Sequence, residues 1–314
     1  MRFFDRHEVE RLLSFDVCIP AVKEAMSALS RGQTRHMPRA VLPIAEGRLL
    51  GLMGGALGAD DLFGSKVVSV YPGNFAKGMP AHQGVVLLFD PESGAPICAA
   101  DASAITAIRT AAASAVATDA LARQDATRLT ILGYGEQANA HVAAIARVRA
   151  LRQVTVWGRA YDRAKQFADI AARTHGVEAH AAASVEEAVR EADIICTVTA
   201  AREPILLGRW VGAGVHVNVV GSSIAGPAEI DNDLVAKSRF VADCRENVLQ
   251  AGAEFLRAKQ AGLVKNEHIV AEIGEVLNGA AQGRQTPEEI TIYKSLGHIV
   301  QDLAAARAVM QVAS

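Results

Sequence analysis

Aromatic residues make up only 5% of this chain, too few for an aromatic-rich β-sandwich, and the abundance of alanine instead favours closely packed helices. Long apolar runs are also missing: no window approaches the roughly 18–20 residues of a membrane-spanning helix. The opening Met1-Arg2-Phe3-Phe4-Asp5-Arg6-His7-Glu8 is charged from the start and lacks the apolar stretch of a signal peptide. No long run of like charge occurs, and a net charge of -2 leaves no basic face, so neither nucleic acid nor a membrane is expected as a partner. Cys18, Cys98, Cys196 and Cys244 show no CxxC spacing. They read as buried reduced thiols rather than disulfides or zinc ligands, which implies a cytoplasmic protein with no metal site.

What is present is hydrophobic material: 50% of 314 residues, enough for two domains or one large α/β unit. Val9 to Arg31 has helical apolar spacing, interrupted at Pro20 and stopped by Gly32. Short strand-like runs follow at Arg39–Leu42, Leu49–Met53, Lys66–Tyr71 and Val85–Asp90. Asp90-Pro91-Glu92-Ser93-Gly94 is a turn signal that predicts an antiparallel hairpin. Ala102 to Arg123 then has helical spacing. From residue 127 the rhythm becomes strand–helix–strand: Arg128–Leu132, Glu136–Arg149, Gln153–Trp157, Tyr161–Thr174, Val177–His180, Val185–Glu191 and Asp193–Thr199. Val215–Val220 and Phe240–Val241 read as further strands, and Pro287–Val312 as one long helix returning to the N-terminal portion. The expected fold is α/β: a Rossmann-type doubly wound domain at 122–287, and a mixed α+β substrate and dimerisation domain formed by 1–121 with 288–314.

The strand Leu129-Thr130-Ile131-Leu132 runs directly into Gly133-Tyr134-Gly135-Glu136-Gln137-Ala138 and then a helix. This is the GxGxxG/A pattern in its proper setting. Gly133 permits the tight turn, Gly135 lets backbone approach a pyrophosphate, and Ala138 allows close helix–strand packing. The N–H groups of the helix start, at Glu136 and Gln137, would receive phosphate. The next strand ends at Trp157-Gly158-Arg159, where an NAD-binding domain usually carries Asp or Glu. Gly158 and Arg159 leave room and supply a counter-charge for a 2′-phosphate, which favours NADP(H), with NAD(H) as the alternative. Arg159 could equally be an ordinary solvated arginine.

Around that site the chain resembles the ornithine cyclodeaminase/μ-crystallin family. The likeness is carried by Met37-Pro38-Arg39, by Gly64-Ser65-Lys66-Val67-Val68 leading to Tyr71-Pro72-Gly73-Asn74, by Ile108-Arg109-Thr110-Ala111-Ala112-Ala113-Ser114, and by Thr291-Ile292-Tyr293-Lys294-Ser295-Leu296-Gly297. The resemblance implies hydride exchange between a nicotinamide and the α-carbon of an amino or imino acid, in a homodimer. It also implies that Arg39, Lys66 and Arg109 meet the substrate. Arg39 and Arg109 would offer planar two-pronged donors to a carboxylate, and Lys66, in an apolar strand, would exchange a proton with the nitrogen. Read without the resemblance, each is surface charge or a partner of Asp101 or Asp60. Arg109, Thr110, Gln137, Thr199, Ser223 and Ser295 match positions near the coenzyme in relatives. Ser295 and Gly297 could also serve helix packing.

One departure bears on the reaction. Cyclodeaminases and archaeal alanine dehydrogenases of the family carry an aspartate where Gly221-Ser222-Ser223 places Ser223. A serine cannot act as a carboxylate base, so reduction of an α-imino acid or cyclic ketimine (or the reverse dehydrogenation) is expected rather than ornithine cyclisation with bound NAD. A non-enzymatic NADPH and small-ligand binder is the other alternative. His82, in Met79-Pro80-Ala81-His82, is a candidate proton donor or carboxylate ligand, or a structural histidine. His298 reads as packing.

Overall fold

The computed structural model describes residues 1–71, 73–74, 79–80 and 82–314. Pro72 and Ala81, which fall within stretches quoted above, lie outside the described residues. The chain forms two compact units, Met1–Thr110 with His298–Ser314, and Ala111–Gly297. These divisions lie at other residues than the 121/122 and 287/288 read from the sequence.

The first unit holds β1 (Arg2–Phe4), α1 (Arg6–Leu12), α2 (Phe15–Ser30), β2 (Arg35–His36), β3 (Ala40–Ala45), β4 (Arg48–Ala56), β5 (Phe63–Val70), β6 (His82–Phe89), β7 (Pro96–Asp101) and the start of α3 (Ala102–Leu121). Its sheet runs β1-β7-β6-β5-β4-β2, with β3 also on β4. β1 lies parallel to β7, and the remaining pairs are antiparallel. The expected hairpin is present: Asp90 Oδ1 accepts from the Ser93 backbone at 2.8 Å and its hydroxyl at 2.6 Å, between β6 and β7. The expected break at Pro20 is not there. Pro20 sits inside α2, and the interruption falls at Leu13-Ser14, where Ser14 caps the second helix. The C-terminal helix, Ile299–Val312, packs against α2 and against the β4–β6 part of the sheet. It is buried on nearly every side, which explains its almost unbroken apolar and alanine sequence.

The second unit is an eight-stranded parallel sheet. Its elements are β8 (Arg128–Leu132), α4 (Glu136–Ile145), β9 (Gln153–Trp157), α5 (Tyr161–His175), β10 (Glu178–Ala181), α6 (Val185–Val189), β11 (Ile194–Thr197), β12 (His216–Val219), α7 (Asn232–Lys237), β13 (Arg239–Ala242), α8 (Arg245–Ala251), α9 (Ala253–Gln260), β14 (Ile269–Glu272), α10 (Ile273–Leu277) and β15 (Thr291–Lys294). The order β10-β9-β8-β11-β12-β15-β13-β14 reverses direction at β8, the switch point where open α/β sheets bind ligands beyond their carboxyl ends. The tail is not one helix. Thr291–Lys294 is a fully buried strand between β12 and β13, and Gly297, at φ +80°, separates it from the helix beginning at Ile299. A β-branched and aromatic run suits a central strand, and helical spacing in the alanine-rich part concealed it.

Candidate functional site

Each unit carries a distinct polar constellation. In the first, Lys66 lies on β5 with its side chain buried beneath the C-terminal helix. Its Nζ donates to Thr106 Oγ1 at 2.5 Å and to Asp302 Oδ1 at 3.0 Å. Arg109 Nε donates to the same Asp302 oxygen at 2.9 Å, and Arg109 Nη1 to Gln301 Oε1 at 2.8 Å. Neither Asp101 nor Asp60 is the partner of these two cations. Asp101 instead caps α3, accepting from the Ala104 N–H at 2.8 Å. Burial pushes the Lys66 ammonium down to about 8; Asp302 opposes that fall, while Arg109 and Arg39 add to it. Burial alone would raise Asp302, but Arg109 and Lys66 outweigh it and hold the carboxyl below its ordinary value.

Arg39 is exposed between β2 and β3, close enough to act on the charge of Lys66 and His298. His298 is the N-cap of the C-terminal helix, its Nδ1 accepting from the Val300 N–H at 3.3 Å, and it meets His36 edge to face at 4.5 Å. Burial and then His36 push His298 down to about 3, so the ring is neutral. His82 is exposed and opens β6; its backbone carbonyl accepts from Ser103 at 2.5 Å. Thr110 is buried at the end of this unit.

In the second unit Gly133 adopts φ +129°, and a Cβ there would stand 2.7 Å from the Val198 carbonyl oxygen. Its N–H donates to Trp157 at 2.8 Å, so the turn is pinned between the ends of β9 and β11. Gly135 caps α4 with no side-chain hydrogen bond, and nothing stands within 4 Å of where its Cβ would be. Gln137 Oε1 and Ser295 Oγ are buried with no hydrogen-bond partner among the described residues. An open glycine turn at a helix start, with unpaired polar atoms in the same unit, fits a dinucleotide. The room beside Gly158 is taken by the Tyr134 ring, whose carbons would lie 2.2 Å from a Cβ at that position. Packing against Tyr134 is itself a reason for a glycine at position 158. Arg159 next to it is exposed.

Thr199, two residues beyond β11, is held by Glu229: its N–H and its hydroxyl both donate to Oε1 at 2.7 Å. Glu229 Oε2 accepts from the Thr197 hydroxyl and the Gly221 N–H, also at 2.7 Å each, tying the ends of β11 and β12 together. Ser223 lies half-buried two residues past Gly221. Behind it Lys294 Nζ pairs with Glu254 at 2.8 Å and donates to the Ser222 carbonyl at 2.7 Å, and Asp243 accepts from the N–H groups of Leu296 and Gly297 at 2.7 Å each. Asp302, Gln301, Glu229 and Lys294 were not singled out from sequence as site residues. For Asp302 a signal existed, a polar pair in the apolar first half of the C-terminal helix.

A switch-point glycine turn on a parallel sheet defines the class: a dinucleotide-binding α/β protein. The model of the ornithine cyclodeaminase/mu-crystallin family matches residues 2–314, and the chain belongs to that family. The ketimine reductase mu-crystallin of Mus musculus is 37% identical over 312 residues, covering 98% of this chain and 96% of that protein. The structure of Thermococcus litoralis Δ1-pyrroline-2-carboxylate reductase with NADH and L-proline matches with a TM-score of 0.96 at 33% identity, covering 100% of this chain and 97% of that one. An archaeal alanine dehydrogenase dimer with bound NAD matches with a TM-score of 0.93 at 32% identity, covering 99% and 95%.

Proposed function

We propose that this chain is a nicotinamide-dependent oxidoreductase that reduces an α-imino acid or cyclic ketimine to the amino acid, with NADPH preferred over NADH. The observation that carries the reading is the Lys66 ammonium, held at 3.0 Å from Asp302 and brought down to about 8, so that it is charged at neutral pH yet ready to give up a proton. In the reaction the imine nitrogen takes that proton, the C=N double bond becomes a single bond, and the α-carbon gains a hydride. The coenzyme, when bound, supplies the hydride. Arg39 and Arg109 hold the substrate carboxylate, which orients the imine for the transfer. Gly133, Gly135, Glu136 and Gln137 receive the pyrophosphate; Thr199, Ser223 and Ser295 line the coenzyme's path. Gly158 makes room for Tyr134, and Arg159 meets the 2′-phosphate. Ser223 in place of an aspartate separates this chain from ornithine cyclisation.

The chain acts as a homodimer through the β3 face of its first unit, where Val41, Leu42 and Ile44 are 48%, 55% and 54% exposed. The similarity to a dimeric alanine dehydrogenase supports that reading. No helix among the described residues is long and apolar enough to cross a membrane.

The experiment is a panel assay of NADH and NADPH oxidation with cyclic ketimines, and with pyruvate, glyoxylate or oxaloacetate in the presence of ammonia or methylamine. It is paired with Lys66→Met. Reduction of at least one imine and a loss of turnover of a hundredfold or more in Lys66→Met are expected, the size of one acid–base group. Near-normal turnover in that variant would pass the proton to His82 or water. Rapid conversion of ornithine to proline would overturn the reductase reading.

A further inference from the structure

We infer that Asp302 is a positioning residue for the reaction: through a single carboxylate oxygen it holds both Lys66 and Arg109 and aims them. The inference rests on Lys66 being the proton donor.

Asp302 is fully buried in the first turn of the C-terminal helix, among mostly apolar neighbours, a place an acid does not occupy without partners. Both cations converge on Oδ1, at 3.0 and 2.9 Å, while Oδ2 is buried with no partner among the described residues. A cluster built for stability would satisfy both oxygens, and a buried ion pair is in any case a weak stabiliser compared with apolar packing. What this geometry achieves is direction. Lys66 has three N–H donors, and Thr106 and Asp302 engage two of them, leaving one for a substrate nitrogen. Gln301 and Asp302, adjacent on the helix, fix the Arg109 guanidinium through Nη1 and Nε. The surroundings also make Asp302 decisive for charge. Lys66 is faced by Arg109 from α3 and by Arg39 from the segment before β3, both of which disfavour its ammonium. Asp302 itself is also approached by Cys18 from α2 and by His298 with His36 beyond it. Burial raises the Cys18 thiol to about 12 and leaves His298 neutral, so neither supplies negative charge at neutral pH. Asp302 is the group that favours the charged lysine.

The test is the pH profile of kcat for reduction of Δ1-pyrroline-2-carboxylate, or of the best imine in the panel, by the full-length enzyme. Reduction needs protonated Lys66, so activity falls as pH rises through the lysine's folded pKa. Asp302→Asn removes the opposite charge and should move that alkaline limb down by about one to three pH units, with the coenzyme dissociation constant little changed. Arg109→Gln removes a like charge and should move the limb up, even though substrate affinity suffers. Opposite displacements are not what a merely structural pair of lesions would produce. An unmoved limb with uniformly lower turnover overturns the inference, and Arg109→Gln decides it alone should Asp302→Asn fail to fold. If Lys66→Met is inactive and the limbs do not move, Asp302 loses its role while the lysine keeps its own; if Lys66→Met is active, both readings fall.

Discussion

Arg159 is exposed at the tip of β9, and its neighbour Gly158 faces a tyrosine ring. The proposed preference for NADPH therefore hangs on one guanidinium. Arg159→Ala should raise the Michaelis constant for NADPH tenfold or more, because a lost charge-assisted phosphate contact costs about 1.5–3 kcal/mol, and should barely change that for NADH. Steady-state kinetics with both coenzymes measures it, and a wild-type enzyme that prefers NADH would remove the premise. At this scale the legible residues were those with a local signature. Gly133 and Gly135 announce themselves by following a strand and opening a helix. Lys66 and Arg109 were singled out by resemblance, but their partner was not, because Asp302 reaches them across 236 and 193 residues of sequence and no local pattern encodes such a distance. Gly158 is a different case. Its smallness was visible in the sequence, but the ring of Tyr134 packed against it was not.

Among the elements, β3 is the least self-sufficient: every residue from Ala40 to Ala45 is exposed, although it reads Ala-Val-Leu-Pro-Ile-Ala. An exposed apolar strand paired on one side only invites association, and Pro43 alone blunts it. Leu42→Asp with Ile44→Asp should turn the proposed dimer into a monomer in light scattering, with the coenzyme still bound by the other unit. A variant that remains dimeric would place the interface elsewhere. Elements with strong periodicity were readable: β8 and β9 have the bounds expected from sequence, and β6, β7 and the turn at Asp90 follow the hairpin pattern. The break between α1 and α2 and the strand β15 were not. Both depend on what packs against them, and a short buried strand without alternation looks like part of the alanine-rich helix that follows.

For the whole molecule, buried histidines should make the fold sensitive to acid. His141, His216 and His298 are buried, and burial brings them from 6.5 to about 4, about 3 and about 3. The unfolded chain protonates all three near pH 6.5 while the folded chain resists until its own lower values. The stability that comes from keeping them neutral is therefore complete above pH 6.5 and is lost as pH falls toward those values. With up to three extra protons on the unfolded state, stability should drop by as much as roughly 4 kcal/mol per pH unit within that window. Urea midpoints between pH 7 and pH 4 check this, and a flat profile would contradict it. The position of β15 has a further consequence, for synthesis. Both units take their closing piece from residues 291–312: the strand between β12 and β13, and the helix on the other unit's sheet. Until the ribosome has passed them, a nascent chain exposes two unpaired parallel edges and an uncovered sheet face, the surfaces that aggregate or recruit chaperones.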